Sequence, residues 1–140
     1  MKRGQPRTES VRCQRRSPGR KGPTRADYQA SLDYLSLVFP EQTAVKLVAA
    51  LRRSKLTERA AKDLLRACEL PLLDAKEAKV KADLKKLHKG KSLSPVLLIR
   101  GEAARNAPLV VADGYHRICA ACCFDEDAPI ACHIASRAEG

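Results

Sequence analysis

The sequence predicts an α+β fold: a small mixed sheet with helices before it and between its strands. Two observations carry this expectation. Between residues 28 and 68, apolar side chains recur at helical spacing. From residue 70 onward, short apolar runs alternate with turn signals and two further helices. The length of 140 residues suits one domain. Aromatic residues make up only 4% and Trp is absent, so the core falls to Leu, Val, Ile and Ala.

Residues 1–25 stand apart. They hold nine Lys/Arg and one acid, so eight of the chain's eleven net positive charges sit there. They also hold Pro6, Pro18, Pro23 and three glycines, with few apolar residues. Such a segment buries too little surface to offset its chain entropy, and the expectation is a disordered basic tail. Arg15, Arg16, Arg20 and Lys21 are its candidate phosphate contacts, which makes DNA a candidate partner through the tail. The plainer alternative is a solvated extension.

Residues 26–69 read as a helical segment packed on the domain. Tyr28, Leu32, Leu35 and Phe39 mark a first helix, and Ala44, Leu47, Val48 and Leu51, after Pro40, mark a second. Ala61, Leu64, Leu65 and Cys68 mark a third, with Thr57 expected as its N-cap. Basic residues such as Arg52, Arg53, Lys62 and Arg66 cluster on the last two, so a helix-turn-helix is one reading and solvated helix faces the other.

Residues 70–136 carry the α+β domain. Leu70-Pro71-Leu72-Leu73 reads as an edge strand, and Val80, Leu84 and Leu87 as a basic amphipathic helix ended by Gly90. Strands are expected at residues 94–99, 108–112 and 129–134, with a helix from the Gly114 turn to about Phe124. No apolar run approaches the roughly 20 residues of a membrane span, and no secretory signal precedes the first helix. The expectation is a cytoplasmic protein with no membrane partner, whose six cysteines stay reduced.

The candidate site is the strand-to-helix turn Asp113-Gly114-Tyr115-His116-Arg117. A helix N-terminus exposes unpaired N–H groups and partial positive charge. Gly114 permits a sharp turn and a close approach to a ligand. Arg117 adds a planar bidentate donor suited to phosphate, and His116 a donor or an acid/base near neutral pH. Asp113 would orient one of these or hold Mg²⁺. Together they describe a phosphate-binding turn. The competing reading is a plain turn capped by Asp113. A zinc site at Cys119, Cys122, Cys132 and His133 is disfavoured, because Cys132 and His133 would point to opposite faces of a strand, and no metal-ligating set is assigned.

"SPVLLIRG", "PLVVADGYHRICAA" and "APIACHIA" resemble the ParB/sulfiredoxin superfamily over roughly residues 70–135. "DLLRACELPLL" and "LKKLHKGKSLSPVLLIRG" are similar to a group of small bacterial proteins. The resemblance implies that Gly114, His116 and Arg117, with Tyr115 between them, contact nucleotide phosphates. It implies ATP or CTP, with Mg²⁺, as ligand. In sulfiredoxins the residue between Gly and His is the catalytic cysteine, whereas Tyr115 stands here. A phenol with a pKa of about 10 does not replace a thiolate nucleophile. In chromosome-partitioning members a helical DNA-binding domain follows, whereas this sequence has its extra helices upstream and ends at Gly140. The expected function is therefore nucleotide or phosphate binding, with phosphoryl transfer or hydrolysis through His116 and Asp113. The alternative is a non-enzymatic DNA-binding protein using the tail and helices.

Overall fold

The computed structural model describes residues 22–140. Within them lie helix α1 (Arg25–Val38), α2 (Glu41–Arg53), strand β1 (Thr57–Ala60), α3 (Ala61–Cys68), α4 (Ala78–His88), β2 (Val96–Ile99), β3 (Val110–Asp113), α5 (Tyr115–Phe124) and β4 (Pro129–Ala135). The α+β class and the small mixed sheet are as expected. The strand order is β1-β4-β2-β3; β4 runs antiparallel to β1 and parallel to β2, and β2 runs antiparallel to β3. The four tail residues Arg15, Arg16, Arg20 and Lys21 lie outside the described residues.

The sheet is covered on both faces. Leu97, Ile99, Ala112 and Ala135 pack with Leu35 of α1 and with Leu47 and Leu51 of α2. Val96, Leu98, Ile130 and Cys132 pack with Ala61 and Leu64 of α3 and with Ile118 and Ala121 of α5. This explains why Val96-Leu97-Leu98-Ile99 is apolar at every position: alternate side chains enter two different cores, and all four are fully buried. On the outer side of α5, Val80 and Leu87 of α4 bury against Cys119 and Ala120.

α1 begins with a reciprocal cap that the apolar spacing did not reveal. Thr24 Oγ1 accepts from the Asp27 N–H, and the Asp27 carboxylate accepts from the Thr24 N–H.

Two local expectations are corrected. Thr57 does not cap α3. It opens β1, the edge strand that pairs with β4 from Thr57–Cys132 to Ala60–Pro129. The Ala61 and Lys62 N–H groups then bond the carbonyls of Ala128 and Glu126, so backbone pairing does the work of a side-chain cap. A strand therefore separates α2 from α3, where a helix-turn-helix has only a short turn. Leu70-Pro71-Leu72-Leu73 is not a strand. Pro71 has no N–H to give to a ladder, and the segment instead crosses the head of α5. There Pro71 O accepts from the Tyr115 hydroxyl, and Leu73 N–H faces Cys119 Sγ.

Candidate functional site

β3 ends at Asp113, the chain reverses at Gly114, and α5 starts at Tyr115. Gly114 has φ of 109°, a left-handed conformation that only glycine adopts without strain. A Cβ placed there would stand 2.5 Å from Val96 Cγ1, inside the core. The turn is thus pressed against β2, and glycine is required by both backbone and packing.

The first turn of α5 has no side-chain cap. The first N–H returned to the turn is that of Ile118, which bonds Gly114 O at 3.1 Å. The Tyr115, His116 and Arg117 N–H groups precede it, and they carry the positive end of the helix dipole. Beside this turn lies a pocket of about 260 Å³ lined by Asp113, Gly114, His116 and Arg117 from the turn and by Lys79, Ala82 and Asp83 from α4. Four of the five expected site residues thus share one cavity. Tyr115 does not line it, since its ring leans over α5 and its hydroxyl bonds Pro71 O.

Arg117 lines the pocket and is also bound by its neighbours. Its guanidinium donates to Ser94 O at 2.9 Å, Pro95 O at 2.8 Å and Asp113 Oδ2 at 2.5 Å, with Asp27 Oδ1 at 3.6 Å. The side chains of Arg117, Asp113 and Asp27 are only 14%, 17% and 19% exposed. Arg117 therefore ties together the segment entering β2, the end of β3 and the start of α1. Two carboxylates offset its charge, which leaves the helix amides, His116 and Lys79 as the anion-facing groups.

His116 Nε2 stands 3.8 Å from Glu77 Oε2. Glu77 Oε1 accepts from the Lys79 and Val80 N–H groups and so caps α4. The Val80 bond contributes most to holding this carboxyl below its ordinary value, with the Lys79 bond and His116 adding to it. Burial pushes the Asp83 carboxyl up against the pull of Lys86, and it pushes Asp113 up against the pull of Arg117.

Lys79, Asp83 and Glu77 of α4, and Asp27 of α1, were not anticipated as site residues. The phase set by Val80, Leu84 and Leu87 does put Lys79 and Asp83, four residues apart, on one flank of α4. Thr24-x-x-Asp27 is likewise a readable capping signature. What the sequence did not reveal is that both helices converge on the Gly114 turn.

The basic residues of α2 and α3 are largely engaged locally. Arg53 pairs with Glu139, Lys62 with Asp127 at 2.7 Å, and Arg66 with Asp63, while Arg52 stacks on Tyr28. Cys132 and His133 face opposite ways, with Cys132 in the core and His133 Nδ1 3.1 Å from Ser54 Oγ. Burial pushes the thiols of Cys122 and Cys132 up to about 11. No helix among the described residues is long and apolar enough to cross a membrane.

Comparison with known proteins gives no match to a family model, a curated protein or a solved structure.

Proposed function

We propose that this chain is a ParB/sulfiredoxin-like domain that binds the phosphate of a nucleotide, or of another phosphorylated small molecule, at the head of α5. The observation that carries the reading is the uncapped first turn of α5 opening onto a pocket that also presents His116 and Lys79. Backbone amides and a helix dipole are fixed donors, already oriented before the anion arrives. Lys79 supplies a mobile point charge at the rim. Arg117 serves as the clamp that holds the turn in shape, with Asp113 as its partner.

His116 is the proton carrier of the site. Its Nε2 stands 3.8 Å from Glu77 Oε2, which fixes the direction in which the ring points at the pocket edge. Turnover at such a site is hydrolysis or phosphoryl transfer, with His116 relaying a proton to or from the reacting oxygen.

The donor set bears on Mg²⁺. Among the described residues no three His, Cys, Asp or Glu side chains converge as a metal site. The pocket offers two carboxylates, Asp83 and Asp113, and Arg117 holds the second. That suits Mg²⁺, which is commonly held by one or two carboxylates together with substrate phosphates and water. When bound, Mg²⁺ would offset phosphate charge.

The test is thermal unfolding of the protein with ATP, CTP, GTP or inorganic phosphate, with and without Mg²⁺, beside a His116→Ala/Lys79→Ala variant. A ligand at about 100 times its Kd stabilises by about 2.7 kcal/mol. At about 2 to 8 °C per kcal/mol for domains near this size, the midpoint rises by several degrees or more. The expected result is a rise with one ligand that shrinks in the variant. A panel without any rise, or a rise untouched in the variant, overturns the reading.

A further inference from the structure

We infer that the solvent face of α4 is a binding surface for the phosphate backbone of a nucleic acid. Seven lysines and only two acids, Glu77 and Asp83, lie between residues 76 and 91. Val80 and Leu87 bury one face of α4. Ala78, Ala82, Lys85 and Lys89 fall at i, i+4, i+7 and i+11 and form a stripe on the opposite face. Lys81 flanks the stripe on one side and Lys86 on the other. The two alanines leave the N-terminal half of the stripe low, so a rigid partner can come close to the helix there while the flanking lysines reach toward it.

Three observations separate this face from an ordinary solvated one. Lys81, Lys85 and Lys89 are exposed and form no ion pair with a described residue, while Lys86 beside them reaches Asp83 Oδ1 at 4.0 Å. The arrangement also works against the helix. Lys81–Lys85 and Lys85–Lys89 are like charges four residues apart. The first turn of α4 contains Lys79 and Lys81, where the dipole disfavours cations, and the N-cap carboxylate of Glu77 is the acid set against them there. Helix stability thus accounts for the lysines of the last turn and not for those of the first. A polyanion laid along the stripe reverses both penalties.

The dimensions fit. Lys81 to Lys89 spans about 12 Å along the axis. One strand of a duplex advances 3.4 Å per phosphate, so the stripe covers about three to four phosphates. The face is separate from the phosphate pocket except at its edge, where Lys79 and Ala82 line both. The inference does not depend on that pocket.

The experiment measures binding of the full chain to a short labelled DNA duplex by fluorescence anisotropy over a salt series. Two triple variants remove equal charge: Lys81→Gln/Lys85→Gln/Lys89→Gln on the stripe, and Lys46→Gln/Lys55→Gln/Arg100→Gln away from it. Each phosphate contact contributes about 0.9 to the slope of log affinity against log salt. The stripe variant is expected to weaken binding and to flatten the slope by about 2 to 3, with the distant variant close to wild type. Equal effects in the two variants would mean that only net charge matters, and would overturn the inference. So would an unchanged slope in the stripe variant. Loss of binding to vesicles of anionic lipid, with duplex binding intact, would reassign the face to a membrane surface and equally overturn it. The nucleotide-induced thermal shift, measured on the same stripe variant, should be unchanged, which keeps failure here distinct from failure at the pocket.

Discussion

Replacing Arg117 with Met removes the charge while keeping most of the side-chain volume. In the folded protein the guanidinium satisfies the carbonyls of Ser94 and Pro95 and neutralises Asp113 and Asp27, all in a mostly buried place. Removing it leaves two neighbouring carboxylates without a cation. Breaking a buried ion pair from one side costs about 3 to 5 kcal/mol. That is a large share of a total stability of about 5 to 15 kcal/mol, and corresponds to a fall in midpoint on the order of 10 to 20 °C. The loss depends on pH with a definite sign. The folded state already holds the Asp113 carboxyl above its ordinary value of 3.8, and without Arg117 it rises further. Stability tied to a raised carboxyl is fully present below the unfolded value and is lost as pH rises through the folded one. The deficit of the variant is therefore greatest at neutral pH and shrinks on acidification. Urea unfolding across pH, completed as a double-mutant cycle with Asp113→Asn, measures it, with an expected coupling of about 1 to 3 kcal/mol. A neutral-pH loss below about 1 kcal/mol, the size of an exposed pair, with no coupling, would refute the clamp.

Three further outcomes are expected. Gly114→Ala should be far more damaging than Gly90→Ala: both have positive φ, but the new Cβ meets Val96 at Gly114 and open space at Gly90. Chemical denaturation should give about 1 to 2 kcal/mol for Gly90→Ala and a further 1 to 3 kcal/mol for Gly114→Ala, and equal losses would contradict the packing of the turn. Asp83→Asn should stabilise the protein at pH 7, because burial raises this carboxyl and its ionised form is disfavoured in the fold; the gain should vanish as pH falls toward 3.8, and thermal melts across pH would expose a gain of the wrong sign. In native protein at pH 8, an alkylating reagent should modify exposed Cys123 well before Cys122 and Cys132, whose thiols are pushed up to about 11 by burial; peptide mapping that finds all three equally modified would contradict this.

The helices were legible because each keeps one apolar stripe in phase. Leu35, Leu47, Leu51 and Leu64, expected to be core residues from spacing alone, are buried. β1 was not legible for a physical reason. Thr57-Glu58-Arg59-Ala60 has no apolar alternation, and only the neighbouring β4 makes it a strand. Leu70 to Leu73 misled in the opposite direction: Leu73 packs beside α5, Leu70 and Leu72 stay exposed, and Pro71 prevents ladder formation. The site divides in the same way. Gly114 and the head of α5 could be read locally, because turn chemistry is local. The role of Arg117 could not, because two of its partners are backbone carbonyls and a third, Asp27, comes from a helix far back in the chain.

The order β1-β4-β2-β3 also constrains how the molecule assembles. β4 is the last of the four strands to be synthesised, yet it occupies an inner place in the sheet. Until it arrives, β2 has only its hairpin-like partner β3, and β1 has no partner at all. Closing the sheet joins Thr57 to Cys132 and Val96 to Cys132 in one step, across long stretches of chain. Such distant contacts are slow to form, because loop entropy is lost before pairing repays it. The helical hairpin α1–α2 can form early, while the sheet waits on β4. A nascent chain halted before Pro129 would hold two unsatisfied strand edges, and it is in that interval that this protein is most exposed to aggregation or to capture by a chaperone.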